Sequence, residues 1–472
     1  MNNRIALIDP PLSLHRRYSL LSGAGQLTPP IGLLYLASNC REKGFDVRLF
    51  DANALGLSPD LLVRQVAEAR PRFVGLSANT LSISSAAYVV DQLKRLTPEI
   101  FTIVGGAHIS SCPEETMERY RSFDAGVIGE GEETLVELMA AIRDGTDLGQ
   151  VKGIIFRDDG ALSKTQPRQY IKNLDDLPMP AWDLLPPLSC YKLSSTRLSR
   201  PPTASIITSR GCPGQCTFCD RSVFGQKWRG HGTEYVLDMI RENIRRQNIR
   251  SLVINDDTFV VDHKRLISIC EGMIRDKLNL TWSCSARIDE MNLEVLRLMK
   301  RAGCFQIAYG LESGSDRILE AMRKRVSTGR MRQAIQDTKK AGIRSKGYFI
   351  IGYPGETFET VMETIHFALS VPLDDAQFTF LTPFPGTEVY RTAREKGNFT
   401  DDWDKMSMWE AVFVPNGFTA DDMKRLRSTA FRRFYFRPGI IASYAALLAR
   451  SPSLSLNLLK DFLSFSRFVI KK

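Results

Sequence analysis

Short apolar runs and amphipathic stretches take turns along the first part of the chain. The apolar runs fall at Arg4 to Ile8, Asp46 to Phe50, Phe73 to Ser77, Phe101 to Val104 and Ala125 to Ile128. Helical spacing of apolar residues occupies Gly32 to Lys43, Leu61 to Ala69, Ala86 to Leu96 and the run after Glu132. Strands alternating with helices predict a parallel sheet covered on both faces, a doubly wound, Rossmann-like domain over residues 1–145. The pattern then lapses. Asp158-Asp-Gly160 and the prolines Pro178, Pro180, Pro186 and Pro187 are turn and linker signals, and residues 146–200 read as a linker. A second alternation starts at Ala204 to Thr208. Its further strands are expected at Ser251 to Asn255, Thr281 to Ala286, Phe305 to Tyr309, Gly347 to Ile351 and Ala376 to Phe380. Six such units predict a partial (β/α)6 TIM-type barrel over residues 201–390, with its chemistry at the carboxyl ends of the strands. Beyond Tyr390 the alternation stops, and residues 391–472 read as a mostly helical extension.

Composition narrows the class without naming it. A chain of 472 residues with 43% hydrophobic content can bury an ordinary core in two or three domains. The net charge of +10 and pI near 9.1 suit nucleic acid, a membrane surface or an anionic cofactor, but the basic residues are dispersed rather than blocked. No stretch reaches the roughly 20 apolar residues of a spanning helix. Nine cysteines is an odd number, and no leader pattern precedes the first strand, so the expected compartment is the reducing cytoplasm. Thiols there serve as metal ligands, catalytic groups or small buried residues.

Three of the nine are grouped. Ser209-Arg-Gly-Cys212-Pro-Gly-Gln-Cys216-Thr-Phe218-Cys219 follows a predicted strand, which puts three thiols on one loop at the strand's carboxyl end. Thiolates are good ligands for soft iron, and three of them leave one iron of a four-iron cluster open to a ligand. A structural zinc site would instead want a fourth Cys or His at matching spacing, and none stands nearby.

The C-x-x-x-C-x-x-C spacing with an aromatic before the last cysteine resembles the signature of the radical S-adenosylmethionine enzymes. The resemblance implies a [4Fe-4S] cluster on Cys212, Cys216 and Cys219, and reductive cleavage of S-adenosyl-L-methionine to a 5′-deoxyadenosyl radical. It also places contacts to that cofactor at Phe218, at Asp256 and Asp257 after the second barrel strand, at Arg287 after the third, at Glu312 and Ser313 after the fourth, and at Gly352 in the glycine-rich run Gly347 to Glu356. Each has a plainer reading. Asp256 and Asp257 could be helix N-caps, and Arg287 and Glu312 could belong to ion pairs that only stabilise the fold.

The first domain resembles the cobalamin-binding domain that precedes the barrel in one branch of that family. The resemblance rests on Pro30 and Gly32 at the first helix, Ser77 after the third strand, Gly105, Gly106 and His108 after the fourth, and Gly129, Glu130, Gly131 and Glu132 after the fifth. Glycines after parallel strands also suit dinucleotides, phosphates or tight turns. The D-x-H-x-x-G motif of cobalamin mutases is missing, so no lower axial ligand to cobalt is assigned, and a hydrogen-bonded loop histidine is the favoured reading of His108. With both cofactors, the resemblance implies a B12-dependent methyltransferase: a substrate radical at an unactivated carbon of a small or lipid-like metabolite would take a methyl group from cobalamin. Oxidative ring closure or rearrangement by the same parts is the alternative. A cobalamin- and redox-sensing binding protein is the alternative from another class. The family also implies an external electron donor such as flavodoxin or ferredoxin.

The remaining thiols have bland expectations. Cys40 and Cys270 fit buried helical positions, Cys284 and Cys304 fit core packing at barrel strands, and Cys112 and Cys190 fall in loops without an identified partner. The tail, with Arg432, Arg433 and Arg437 among aromatics and the Leu454 to Lys472 run, suits a helix docked on the barrel, or one lying on a membrane surface. No nucleic-acid module is visible, and no nucleic-acid partner is expected. Nothing in the sequence assigns catalytic residues beyond the cofactor contacts.

Overall fold

Five parallel strands and an antiparallel hairpin make the first sheet. The computed structural model describes residues 3–19, 22, 25–191 and 200–450. Its first strands are Arg4–Asp9, Asp46–Asp51, Phe73–Ser77, Phe101–Gly105 and Ala125–Val127, followed by Ile154–Asp158 and Ala161–Lys164. Numbered along the chain, they lie in the order second, first, third, fourth, fifth, sixth, seventh. The first strand is almost wholly apolar because helices cover both faces of a parallel sheet, and Ile5, Ala6, Leu7 and Ile8 are fully buried. Leu33, Ala37 and Cys40 of one helix and Leu135, Leu138 and Met139 of another pack on Ile5, Leu7, Phe73 and Ile103. The helix Pro59–Glu68 starts where the Ser58 side chain accepts the Leu61 N–H and Pro59 presets the backbone. Strand order reverses beside the first strand, so the crevice outside its carboxyl end is the natural ligand position of this domain type.

The hairpin corrects the linker reading of residues 146–200. Asp158-Asp-Gly160 is its turn, with Asp159 at φ 44° and Gly160 at φ 88°, the two positive values a tight hairpin needs. The strand Ile154–Asp158 pairs antiparallel with Ala125–Val127 and extends the first sheet. The first compact unit accordingly runs to Tyr191 and includes residues 220–229.

The second unit is built mainly from residues 200–219 and 230–450. Its six strands, Thr203–Ile206, Ser251–Ile254, Thr281–Ala286, Cys304–Glu312, Arg344–Ile351 and Asp375–Phe380, are parallel and lie in chain order. Four of the helices between them begin at side-chain caps: Asp262 accepts from Arg265, Asn292 from Val295, Ser327 from Arg330 and Thr357 from Thr360. All carboxyl ends of these strands therefore open on one edge, as expected of a partial barrel.

After the sixth strand come the helix Glu388–Lys396, an antiparallel pair Gly397–Phe399 with Phe413–Pro415, and the helices Ala420–Tyr435 and Pro438–Arg450. The short pair was not legible in the sequence pattern. The helix Ala420–Tyr435 docks on the barrel: Phe431 and Phe434 pack edge-on against Phe378, and the Tyr435 hydroxyl donates to the Ala376 carbonyl at 2.8 Å. The Leu454 to Lys472 run lies outside the described residues. Among the described residues no helix is long and apolar enough to cross a membrane.

Gly106 tests how tightly the edge of the first sheet is built. It holds φ 99°, and a Cβ there would stand 2.7 Å from the Ala78 carbonyl oxygen. Gly106→Ala is expected to lower unfolding free energy by about 1–3 kcal/mol. Gly32→Ala, in the first turn of the helix Ile31–Glu42 where a Cβ meets nothing within 4 Å, is expected to raise it by about 0.4–1 kcal/mol. Urea titration of both variants checks this.

Candidate cofactor site

The cysteine loop carries no regular structure, so its backbone is held by other elements. Thr217 donates its N–H to the Met322 carbonyl at 3.2 Å and accepts the Val389 N–H at 3.2 Å. The Thr217 hydroxyl meets the Tyr353 hydroxyl at 2.7 Å, and Tyr353 in turn donates to the Ala321 carbonyl at 2.9 Å. Phe218 packs against an apolar cluster that includes Ile318, Met322, Leu381 and Val389. Its ring thus fastens the loop, whatever else it touches.

Within the loop, two thiols and a guanidinium share the space around Gly214. A Cβ there would stand 3.1 Å from Arg287 Nη1, 3.3 Å from Cys212 Sγ and 3.9 Å from Cys216 Sγ. Cys216 is buried, Cys212 half-buried and Cys219 exposed. Burial pushes the Cys212 thiol up, while the Gly214 N–H, 3.4 Å from its sulfur, and Arg287 pull it back. Among the described residues no three His, Cys, Asp or Glu side chains gather as a single metal ion requires. Three soft sulfurs spread along one loop, with a cation beside them, suit a larger iron–sulfur group better than a lone zinc.

The strand-end residues divide into two sets. Arg287 lies with the thiols, and Glu312 is linked to it through Lys324. Arg287 donates to Asp289 at 2.9 Å and to the Lys324 carbonyl at 3.1 Å. Burial works against its charge, but Asp289 and the nearby thiols outweigh that and hold its pKa up. Glu312 accepts from Lys324 at 2.9 Å, and both side chains are buried. Asp257, exposed, accepts the Gly211 N–H at 3.2 Å and so touches the start of the loop.

The other set is engaged with the protein. Asp256 is neither open nor an N-cap: it accepts the Thr208 N–H, the Thr208 hydroxyl and the Ser209 hydroxyl, each at 2.6 Å. It ties the second strand's end to the chain leading into the cysteine loop. The Ser313 hydroxyl bonds Thr364 at 3.1 Å. Gly352, at φ 91°, is covered by Met423, whose Cε would lie 2.2 Å from an added Cβ. A side chain of the extension thus covers Gly352, where a contact to S-adenosylmethionine was expected. The Gly352 N–H donates to the buried Glu356, whose carboxyl burial pushes up to about 7.

Sequence reading missed Lys324, Thr217 and Tyr353. Lys324 stands in Arg323-Lys-Arg325, which looks like a solvated basic run, and Thr217 and Tyr353 were hidden inside motifs read for their cysteines and glycines. Among the other thiols, Cys40 and Cys270 are buried in helices. Cys284 and Cys304 are buried side by side on neighbouring strands, as core packing requires. Cys112 has partners after all, in His108 at 3.7 Å and Thr116 at 3.6 Å. Cys190 closes a short helical turn, Leu188–Cys190.

In the first unit the predicted residues also separate. Ser77 and Gly105 pair at the ends of the third and fourth strands, and Gly106 follows. Gly32 has open space at its α-carbon, and at Gly105 the nearest atom to an added Cβ is 3.9 Å away. Pro30 leads into the helix Ile31–Glu42. Gly129, at φ 82°, donates its N–H to Ser110. These positions present backbone and small side chains at that edge. The rest face inward. Glu130 forms a buried pair with Arg229 at 2.8 Å and accepts the Ile171 N–H at 2.8 Å. A Cβ on Gly131 would stand 3.1 Å from Leu36 Cδ2, and Glu132 is buried in the first turn of the helix Glu132–Asp144. A cavity of about 120 Å³ beside Gly129 and Glu130 is far smaller than the several hundred Å³ of a cofactor pocket.

His108 is buried on the short helix Ala107–Ser111, with Nδ1 3.2 Å from the Thr80 hydroxyl. Burial, and then Arg119, lower its pKa from 6.5 to about 4. A base whose folded pKa is depressed favours the folded state above its unfolded pKa, and that contribution is lost as pH falls toward the folded value. His108 contributes a fall in unfolding free energy between pH 6.5 and about 4 worth about one proton, which the Glu356 carboxyl, held up to about 7, opposes over the same range, so His108→Gln is expected to gain stability relative to the wild type as pH falls through that window. Denaturant titrations at stepped pH check the difference.

Comparison with known proteins places both halves. Residues 20–139 match the B12 binding domain family, and residues 206–368 match the radical SAM superfamily. An uncharacterized methyltransferase of Pyrococcus horikoshii is 34% identical over 99% of this chain and 96% of its own length. An anaerobic magnesium-protoporphyrin IX monomethyl ester cyclase of Rubrivivax gelatinosus is 26% identical over 91% of this chain and 78% of its own. Among solved structures, the radical S-adenosylmethionine methyltransferase TsrM from Kitasatospora setae superposes with a TM-score of 0.71 at 18% identity, covering 93% of this chain and 90% of that one. That likeness is one of fold.

Proposed function

The chain belongs to the radical SAM superfamily, in the branch that carries a B12-binding domain, and from that premise we propose that it transfers a methyl group to an unactivated carbon of a small-molecule substrate. The observation that carries this reading is the loop of Cys212, Cys216 and Cys219, pinned at Thr217 and faced by Arg287. When bound, the iron–sulfur cluster, S-adenosylmethionine and cobalamin supply the radical chemistry and the methyl group. The chain's own work is to hold and orient them. Cys212, Cys216 and Cys219 are the cluster ligands. Arg287 is placed to meet the carboxylate of S-adenosylmethionine, and Asp257 and Glu312 to accept from its polar groups. Pro30, Gly32, Ser77, Gly105, Gly106 and Gly129 form the edge on which cobalamin rests, while Glu130, Gly131, Glu132 and His108 keep that edge in shape. Asp256, Ser313, Phe218 and Gly352 act by positioning.

The substrate is a small or lipid-like metabolite, the electron comes from an external donor of the flavodoxin or ferredoxin class, and any membrane contact is peripheral. The methyltransferase name of the P. horikoshii relative, matched along nearly its whole length, favours methyl transfer over ring closure.

Two measurements test this. After anaerobic reconstitution, wild-type protein is expected to release 5′-deoxyadenosine from S-adenosylmethionine on reduction, and Cys212→Ala, Cys216→Ala or Cys219→Ala to reduce that release at least a hundredfold. A four-iron spectrum without cleavage in the wild type defeats the enzyme reading. Protein expressed with cobalamin is expected to carry corrin absorbance in about equimolar amount. Corrin-free protein at saturating cobalamin rejects methyl transfer while leaving the cluster reading standing.

A further inference from the structure

Three residues other than glycine around the cysteine loop hold left-handed backbone: Glu312 at φ 66°, Arg323 at 54° and Arg325 at 55°. Such positions cost on the order of 1 kcal/mol each and persist where the surroundings impose them. Here they bracket one ion pair. The flanking arginines turn outward, Arg323 to Glu388 at 2.7 Å and Arg325 to Gln215 at 2.6 Å, while Lys324 turns inward to Glu312 at 2.9 Å. Gly310 leaves room for the pair, since a Cβ there would stand 2.4 Å from Glu312 Oε1 and 3.0 Å from Lys324 Nζ. The register of the fourth strand against the fifth shifts between Gly310 and Glu312.

The same turn holds the cysteine loop. The Met322 carbonyl accepts from Thr217, the Lys324 carbonyl accepts from Arg287, and Arg325 reaches Gln215 inside the cysteine motif. The Lys324 ammonium is bonded to Glu312, and it is close enough to Cys216 and Arg287 to feel their charges. A buried ion pair is a poor stabiliser compared with apolar side chains of the same volume, so strain plus burial points to a role beyond stability.

We propose that Met322–Arg325 is a positioning turn for the cysteine loop, and that Lys324 is a buried cation which, with the half-buried Arg287, sets the electrostatic field at the group the cysteines hold. A positive charge near a redox group favours its electron-rich state, and a negative one opposes it. Lys324 and Glu312 therefore act on the cluster with opposite signs. The inference rests on the cluster reading above.

The test is an EPR-monitored redox titration of the anaerobically reconstituted full chain. Lys324→Met is expected to shift the cluster midpoint to lower potential, and Glu312→Gln to higher potential. Lys324→Arg is expected to match wild type, and the Lys324→Met/Glu312→Gln double variant to fall between the singles. Single variants with full iron content and an unchanged midpoint overturn the proposal. So do singles that shift in the same direction, as a merely structural latch would give. If Lys324→Met does not retain iron, Glu312→Gln and the double variant decide by the same signs. Wild-type protein that takes up no four-iron cluster instead defeats the cluster reading itself.

Discussion

Everything at the candidate site depends on one constraint: the loop that carries the three cysteines has no ladder or helix of its own. Backbone groups at a loop's root must find partners elsewhere or stay wet, and a wet loop would not hold thiols in one arrangement. The protein meets this at Thr217, whose N–H, carbonyl and hydroxyl all have partners, on three different elements of the second unit. The Asp256 carboxylate, at the end of the second strand, does the same for Thr208 and Ser209. The loop's shape is thus delegated to the fourth, fifth and sixth strand–helix connections, and the Met322 carbonyl of the Met322–Arg325 turn is one of its three anchors.

Parallel topology makes that delegation possible. In a parallel sheet every strand delivers its following loop to the same edge, so groups far apart in sequence meet without a long excursion of chain. Cys212, Arg287 and Glu312 stand at or just past the carboxyl ends of three such strands. In the first unit the same rule brings Ser77, Gly105 and Gly129 together at the carboxyl edge, and there the residues that remain accessible are mostly backbone and glycine. A surface of that kind can approach a broad planar ligand closely, because no side chain stands between it and the amides.

Much of this was legible in the sequence, and the misses share a physical cause. Strand–helix alternation located the parallel strands of both sheets to within a few residues, because burial on both faces leaves an apolar run that little else produces. The cysteine spacing was equally plain. The hairpin at Ile154–Lys164 was overlooked because a short antiparallel addition to an existing sheet needs only a few apolar residues, and Asp158-Asp-Gly160 marks a hairpin turn as readily as a linker. Lys324 was invisible for a different reason. A buried cation and a solvated one look alike in sequence, and only the partner, Glu312, twelve positions away across a strained turn, tells them apart.

The motif residues that proved structural carry a lesson about acidic groups at strand ends. Glu130 lies in a Gly-Glu-Gly-Glu run that suggests ligand contact, yet both its oxygens face Arg229 and the Ile171 N–H, with Arg229 also lying 5.0 Å over the Tyr170 ring. Removing either charge would leave its partner buried and unpaired, a penalty of roughly 3–5 kcal/mol. Glu312 is paired too, yet its cation is shared with the thiol side of the site through the Lys324 carbonyl and Arg287. What separates a structural carboxylate from one that can act on a cofactor is therefore where its partner leads. For Glu130 it leads to Tyr170 and Phe224 within the first unit, and for Glu312 it leads to the cysteines.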